Sequence, residues 1–303
     1  MRITRWTLLT AGALLLLDVD SVFAWGPATH IGLASSILDR LSVLPVAVSA
    51  LLARHGVSYL YGNIAADVVF AKRWSRIKQF CHHWTTGFEL LESAPDDKSK
   101  AFAYGYLSHL AADTVAHGKF VPRQISASEC TVNFGHLYWE LRADGIEDES
   151  RWRVLEQLLC AGHGDHHRHL QRHITQTFLP YELNRALFAG ISALTVRKGF
   201  RRTVHAWGRY SRWYLCPKLM NEYRAESLDR IYSILFDGTG SALLREDPSG
   251  TSALMHMRVR RRELRRLRRR GMPVGHRLLE TSRGLAPRLS PISSLRSANY
   301  ATL

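Results

Sequence analysis

The segment HLAADTVAH, residues 109–117, places three ionisable side chains in an otherwise apolar part of the chain. His109, Asp113 and His117 are spaced four residues apart, so in a helix they lie on one side. The opposite side would carry Leu107, Leu110, Ala111 and Thr114. Such an amphipathic helix can bury its apolar face and direct the three polar groups into a cavity. We therefore predict a helix with a stripe of metal-capable ligands.

A second stretch, GHLYWE, repeats this spacing with His136 and Glu140. Zinc takes imidazole and carboxylate ligands where thiolates do not hold it, and such a pair on a helix can chelate one ion. Upstream, Asp67 and His83 lie in apolar settings where an unpaired charge would be costly. An isolated pair of this kind is more often a hydrogen-bonded pair, but metal coordination accounts for all these residues together.

Helical patterns dominate the rest of the chain. Apolar residues recur at helical spacing in residues 27–41, 101–117, 137–142, 152–160, 181–194 and 222–235. Gly118 is expected to end the second of these helices. Because the sequence shows no convincing run of alternating strands, no Gly-rich phosphate loop and no internal repeat, we predict the all-α fold class, as a single multi-helix bundle.

The first 24 residues have the pattern of a secretory signal peptide. Arg2 and Arg5 precede an apolar run over residues 6–17, and small residues at Val22 and Ala24 suit cleavage after Ala24. The apolar run is shorter than the ~20 residues that span a bilayer. We expect export to a periplasm or to the medium; an uncleaved anchor or a short buried helix is the alternative interpretation.

Cleavage after Ala24 would give Trp25 a free α-amino group, five residues before His30. The amino nitrogen and the carbonyl oxygen of one residue can chelate a metal ion together. We therefore count Trp25 and His30 among the candidate ligands.

The net charge of +15 is concentrated near the C-terminus. One short segment holds Arg258, Arg260, Arg261, Arg262, Arg265, Arg266, Arg268, Arg269 and Arg270 against the single acid Glu263. We predict a catalytic domain over residues 25–254 and a basic C-terminal appendage over residues 255–303. Such a run can bind anionic lipid or nucleic-acid phosphates, or it can simply be a solvated segment without a dedicated partner.

In series, these motifs resemble the zinc-dependent phospholipase C family, which is related to single-strand-specific nucleases that also begin at a tryptophan. The resemblance covers WGPATH, the Asp of GNIAAD, the His before Trp84, the HxxxDxxxH helix and HxxxE. It implies an all-α bundle of the phospholipase C and nuclease type, with three Zn2+ ions per chain.

By this resemblance, one zinc ion would be held by Asp67, His83, His109 and Asp113. A second would be held by His117, His136 and Glu140. The third would be held by the amino and carbonyl groups of Trp25 with His30, and Asp113 would bridge it to the first. His82 is the alternative to His83, which we choose because family members place an aromatic residue directly after this ligand, as Trp84 is here.

The sequence combines features of both enzyme types. The three-residue gap between Asp113 and His117 is tighter than in the best-studied phospholipases, and the close spacing of Trp25 and His30 is more like the nucleases. Glu140, rather than an aspartate, is more like the phospholipases. Because of this mixture, the sequence determines the substrate less well than it determines metal binding.

The expected chemistry is direct hydrolysis of a phosphodiester. Zinc acidifies a bound water to a pKa of roughly 7, and Asp67 is the candidate to orient or deprotonate it. Three functions fit: a phospholipase C acting on a phospholipid membrane surface, a single-strand-specific nuclease acting on nucleic acid, or a non-catalytic zinc-stabilised module that binds a surface.

Two further groups of residues have open roles. The segment from His163 to His173 is rich in histidine, and we expect a polar helix face or loop, with an accessory metal site as the alternative. The four cysteines permit up to two disulfides, but their pairing cannot be deduced from the sequence.

Overall fold

The computed structural model of this chain describes residues 25–70, 80–128, 131–175, 177–211 and 213–271. The predicted signal peptide and residues 272–303 lie outside this part of the chain. The described residues form α-helices, short 3₁₀ turns and one π-helical segment, with no strand among them. The predicted all-α fold class is confirmed.

The α-helices are numbered in chain order. The first six are α1 (Pro27–Leu38), α2 (Val46–Arg54), α3 (Gly56–Ala65), α4 (Trp84–Glu92), α5 (Asp97–Val115) and α6 (Val121–Ser128). The remainder are α7 (Val132–Asp144), α8 (Glu149–Cys160), α9 (Gly164–His173), α10 (Tyr181–Thr195), α11 (Lys198–Tyr210), α12 (Pro217–Asp237) and α13 (Thr251–Arg269).

Helix α5 is the centre of the bundle, and α3, α4 and α12 pack around it. The Asp96 side chain caps its N-terminus by accepting a hydrogen bond from the Ser99 amide at 2.7 Å. The sequence predicted an amphipathic helix, but α5 is buried on all sides from Tyr106 onwards. The polar stripe therefore faces other buried side chains, and neither side of the helix faces solvent.

The α3–α5 contact depends on two glycines that bring the two backbones together. A Cβ atom at Gly62 would overlap the carbonyl oxygen of Phe102, and one at Gly105 would overlap the carbonyl oxygen of Tyr59. The Tyr59 hydroxyl also donates a hydrogen bond to Ser108 Oγ at 3.0 Å. The close approach sets α3 against the ligand-bearing part of α5.

The sequence predicted that helix α5 ends at Gly118, but the helical structure continues past that residue. After α5 it continues through a π-helical segment, Ala116–Phe120, directly into α6. His117 therefore lies in the π-helical segment and not in regular α-helix. Such segments are frequent at functional sites because they alter the direction of individual side chains.

Helix α13 packs its first turns against the bundle. Leu254 and Met257 are buried, and Met257 is fully inaccessible to solvent. Gly250, with a φ of 61°, precedes the helix, and a Cβ atom there would overlap the backbone of His117. The arginine-rich segment thus begins as a helix attached beside the π-helical segment, and it runs across the predicted domain boundary at residue 254.

Among the described residues, no helix combines the length and apolar character that a membrane crossing requires. No disulfide joins Cys81, Cys160 and Cys216 to one another, and Cys130 lies outside the described part of the chain.

We predict that Gly105→Ala lowers the free energy of unfolding by about 1–3 kcal/mol or more, because the added methyl group must force α3 and α5 apart. Gly190→Ala, in the middle of α10 with open space around the glycine, is the matched control. It should raise that free energy by about 0.5–1 kcal/mol. Urea unfolding followed by circular dichroism at one fixed zinc concentration checks both; equal effects would contradict the close α3–α5 contact.

Candidate metal centre

Eight polar side chains converge beside α5, and each is at most 7% exposed. We call this group the metal centre. It consists of His30, Asp67, His82, His109, Asp113, His117, His136 and Glu140. These residues come from α1, the 3₁₀ turns Ala66–Val68 and Phe80–His82, α5, the π-helical segment and α7.

The first cluster in the metal centre contains Asp67, His82, His109 and Asp113. His82 Nε2 lies 3.3 Å from Asp67 Oδ1 and 3.2 Å from Asp113 Oδ2. His109 Nε2 lies 3.1 Å from the same Asp113 oxygen and 3.3 Å from His82 Nε2. Two imidazole nitrogens and two carboxylates therefore point at one small volume.

The structure brings His82, and not His83, into this cluster. His82 ends a 3₁₀ turn and is buried, whereas His83 is exposed at the N-cap position of α4. The side chain of His83, just before the helix, is therefore exposed to solvent, and that of His82 is directed into the protein. The geometry therefore favours His82 over the residue selected from the sequence.

A second cluster lies at the other end of the polar stripe. His136 Nε2 is 3.0 Å from Glu140 Oε1 and 3.2 Å from His117 Nδ1. The Nε2 atom of His117 faces Asp113 Oδ2 at 3.7 Å. His117 thus lies between the two clusters and presents one ring nitrogen to each.

His30 approaches the metal centre from α1. Its ring stacks on His109 with the centroids 4.0 Å apart, and its Nε2 lies 3.3 Å from Asp113 Oδ1. The two oxygens of Asp113 therefore face different neighbours, His30 on one side and His82 with His109 on the other. Nearby, the Trp25 side chain is fully buried and stacks on Phe120 at 4.7 Å.

Neighbouring groups determine which histidine nitrogen faces the cluster. His109 Nδ1 lies 2.7 Å from the carbonyl oxygen of Asn63, which can only accept, so Nδ1 carries the proton and donates it. His82 Nδ1 lies 3.3 Å from Cys81 Sγ. Hydrogen bonds on the outer nitrogen are typical of metal-binding histidines, because they leave the Nε2 lone pair free to bind the ion.

The electrostatics keep negative charge in the metal centre. Burial alone would raise the pKa of Asp113, but His109 and the other adjacent imidazoles hold it well below its usual range. Burial lowers the pKa of His30, and His109 lowers it further. Burial also acts to lower the pKa of His109, but Asp113 and Asp67 raise it above the usual value. Such a site attracts a cation.

The residues present fit a divalent metal ion. Both ring nitrogens of His30 and both oxygens of Asp113 are buried without a hydrogen bond of good geometry, which is costly unless an ion binds there. Three groups each bring their ligand atoms within 4.8 Å of one another: His30, His109 and Asp113; Asp67, His82 and His109; His82, Asp113 and His117. Nitrogen and carboxylate oxygen together are suitable for zinc.

A residue that the sequence analysis missed, Asp144, fixes α1 against α7. Its Oδ1 accepts hydrogen bonds from the Thr29 amide at 2.9 Å and the Thr29 hydroxyl at 2.7 Å, and its Oδ2 accepts one from the Ala28 amide at 3.2 Å. Burial raises the pKa of Asp144 to about 6. Because Asp144 lies four residues beyond Glu140, continuing the spacing of His136 and Glu140 by one step would have identified it.

The histidine-rich segment forms α9 and contributes to packing. His167 lies 2.7 Å from the Tyr61 hydroxyl and 2.9 Å from the Tyr181 hydroxyl, and His166 lies 3.0 Å from Ser58 Oγ. Burial lowers the pKa of His166 and His167 to about 4, so both are neutral at pH 7. Within the described residues, the ligand groups that converge all belong to the metal centre and not to α9.

No curated protein and no solved structure matches this chain. The sequence model of the family described as zinc-dependent phospholipase C matches residues 29–185, more than half of the chain. That range contains every residue of the metal centre. By its sequence match and by the position of its clustered histidines and carboxylates, the protein belongs to the zinc-dependent phospholipase C family.

Proposed function

We propose that the protein is a zinc-dependent phospholipase C, which hydrolyses the phosphodiester bond between diacylglycerol and the phosphorylated headgroup of a membrane phospholipid. The observation that supports this proposal most strongly is the metal centre itself. Its buried imidazoles and carboxylates form overlapping groups of ligands, as a site for several adjacent dications would. The family to which the chain belongs supports zinc as the ion.

We assign three zinc ions to the following residues. The first would be held by Asp67, His82, His109 and Asp113. The second would be held by His117, His136 and Glu140. The third would be held by His30, Asp113 and the amino and carbonyl groups of Trp25. This assignment replaces His83 with His82 and requires that the signal peptide is removed after Ala24 during export.

The bound ions supply Lewis acidity at the phosphoryl oxygens and acidify a water molecule. Asp67 would orient that water and accept its proton; its Oδ1 lies 3.3 Å from His82 Nε2 and its Oδ2 lies 3.8 Å from His109 Nε2. Asp113, whose pKa is held well below its usual range, would stay ionised and belong to both the first and the third ligand groups. The burial of these side chains excludes other water, which strengthens their electrostatic effect on a developing charge.

We expect the zinc-loaded protein to release phosphocholine from phosphatidylcholine vesicles and to lose this activity with a chelator. Asp113→Asn should lower the rate at least roughly 100-fold and reduce bound zinc, because the neutral amide is a poor bridging ligand. Asp39→Asn, at a carboxylate that is 68% exposed, is the control and should keep the rate of hydrolysis and the zinc content of the unaltered protein.

Single-stranded DNA is the comparison substrate in the same assay. Zinc-dependent loss of DNA with no release of phosphocholine would contradict the phospholipase proposal and support a single-strand-specific nuclease. Bound zinc with no activity on either substrate would indicate a non-catalytic zinc-stabilised module.

Adjacent histidines provide a matched pair of variants for the ligand assignment. We predict that His82→Ala lowers the zinc content and reduces phosphocholine release at least roughly 100-fold, because it removes a nitrogen from the first cluster. His83→Ala, at the exposed N-cap of α4, should retain zinc and activity within about twofold. Zinc content and the rate of phosphocholine release are measured for both variants. Loss of zinc and activity in His83→Ala, with both retained in His82→Ala, would identify His83 as the ligand.

The chelate at Trp25 is tested by moving the α-amino group. We predict that one added alanine before Trp25 lowers the zinc content from about three ions per chain to about two and slows hydrolysis roughly tenfold or more, because the amino nitrogen no longer reaches the ion. Protein beginning at Trp25, verified by N-terminal sequencing, is the control. Equal zinc content and equal rates in both proteins would argue against a terminal chelate.

A further inference from the structure

A cavity of about 730 Å³ lies between α1, α7, α8, α10 and α11. Its walls are mainly apolar and include Leu137, Leu141, Trp152, Ile191, Leu194 and Phe200. The volume is within the range of small-molecule sites, which are typically 300–1,000 Å³.

The cavity borders the metal centre. Glu140, a proposed ligand of the second zinc, lines it, and so does Gly26, the residue after Trp25. Asp144 and Glu147 also line the cavity, but Asp144 is engaged by the start of α1 and Glu147 by Arg224. A ligand in the cavity can therefore lie directly beside the metal centre.

Helix α11 also lines the cavity, and it carries positive charge. Lys198 and Arg202 line the cavity and are exposed on this helix. Arg201 is held in place by a bidentate pair with Glu149, at 2.6 and 3.1 Å, and lies over the ring of Trp152. This arrangement puts cationic groups at the solvent side of an apolar interior.

Exposed aromatic residues surround the same helix. Trp207 is 44% and Tyr210 is 88% exposed on α11, and Phe134 on α7 packs edge-on against Trp207 with the centroids 6.1 Å apart. Phe134 precedes His136 by only two residues. Amphipathic aromatic side chains of this kind prefer the interface between water and lipid, so the helix that covers the cavity is suited to a membrane surface.

We infer that the cavity is an acyl-chain site: it holds one fatty-acyl chain of a phospholipid whose phosphate is bound at the metal centre. The assignment to the substrate's own chain rests on the proposed function. An extended hydrocarbon chain can pack against the apolar walls, whereas a nucleotide or a headgroup would lose its hydrogen bonds to water there. Each buried methylene should strengthen binding about two- to fourfold.

The kinetic test uses the zinc-loaded protein and monomeric phosphatidylcholines whose acyl chains lengthen one methylene at a time. For the unaltered protein, kcat/KM should rise about two- to fourfold per methylene. Leu194→Trp, which fills the cavity, should abolish this rise. Leu183→Trp places the same side chain on α10 at a position that is 44% exposed and outside the cavity, and should preserve it.

A binding test on the same proteins does not depend on catalysis. A dansyl-labelled fatty acid should bind the unaltered protein and Leu183→Trp, and should bind Leu194→Trp at least roughly tenfold more weakly. Zinc content and circular dichroism verify that each variant is folded. If Leu194→Trp does not fold, Leu194→Phe, which fills less of the cavity, takes its place in both tests.

The two measurements separate the failure of each idea. Suppose that Leu194→Trp and Leu183→Trp hydrolyse phosphatidylcholine with the same dependence on chain length and bind the fatty acid equally well. This result would overturn the acyl-chain site and leave the phospholipase proposal intact. Loss of fatty-acid binding in Leu194→Trp without hydrolysis of any phosphatidylcholine would support the acyl-chain site and reject the phospholipase.

Discussion

Two carboxylates, Asp67 and Asp113, are buried among imidazole rings, at 4% and 0% exposure. Burying such charges is expensive unless opposite charge accompanies them. The adjacent imidazoles offset this cost for Asp113, because they hold its pKa well below its usual range. Bound zinc ions would supply further positive charge, and their binding free energy would become part of the folding free energy. Zinc binding would therefore stabilise the centre of this bundle.

The architecture around α5 explains how distant parts of the sequence reach one site. Gly62 and Gly105 allow α3 and α5 to touch, and this places the Asn63 carbonyl against His109 and delivers Asp67 just after the end of α3. On the opposite side, Asp144 joins α7 to α1 and so aligns two further ligand-bearing helices. Rigid helices position the ligands, as a multinuclear site requires, because small errors in position weaken coordination.

Periodicity in the sequence was enough to predict the all-α class and the ligand stripe on α5, because four-residue spacing has a direct meaning on a helix. The choice between His82 and His83 depends on where α4 begins, and helix boundaries are the least predictable feature of a sequence. The burial of α5 on all sides was missed because its many alanines fit both a surface and a core. The cavity arises from five helices, and no local pattern indicates it.

The contact between Gly250 and His117 links the C-terminal region to the metal centre. Any side chain at residue 250 would overlap the Cβ atom and the backbone of His117, so this position affects the metal centre although it contributes no side chain to it. Proteolytic removal of the chain after residue 254 would likewise withdraw Met257 from the core and expose the π-helical segment. The loss of the basic tail would thus change the surroundings of His117 in the metal centre.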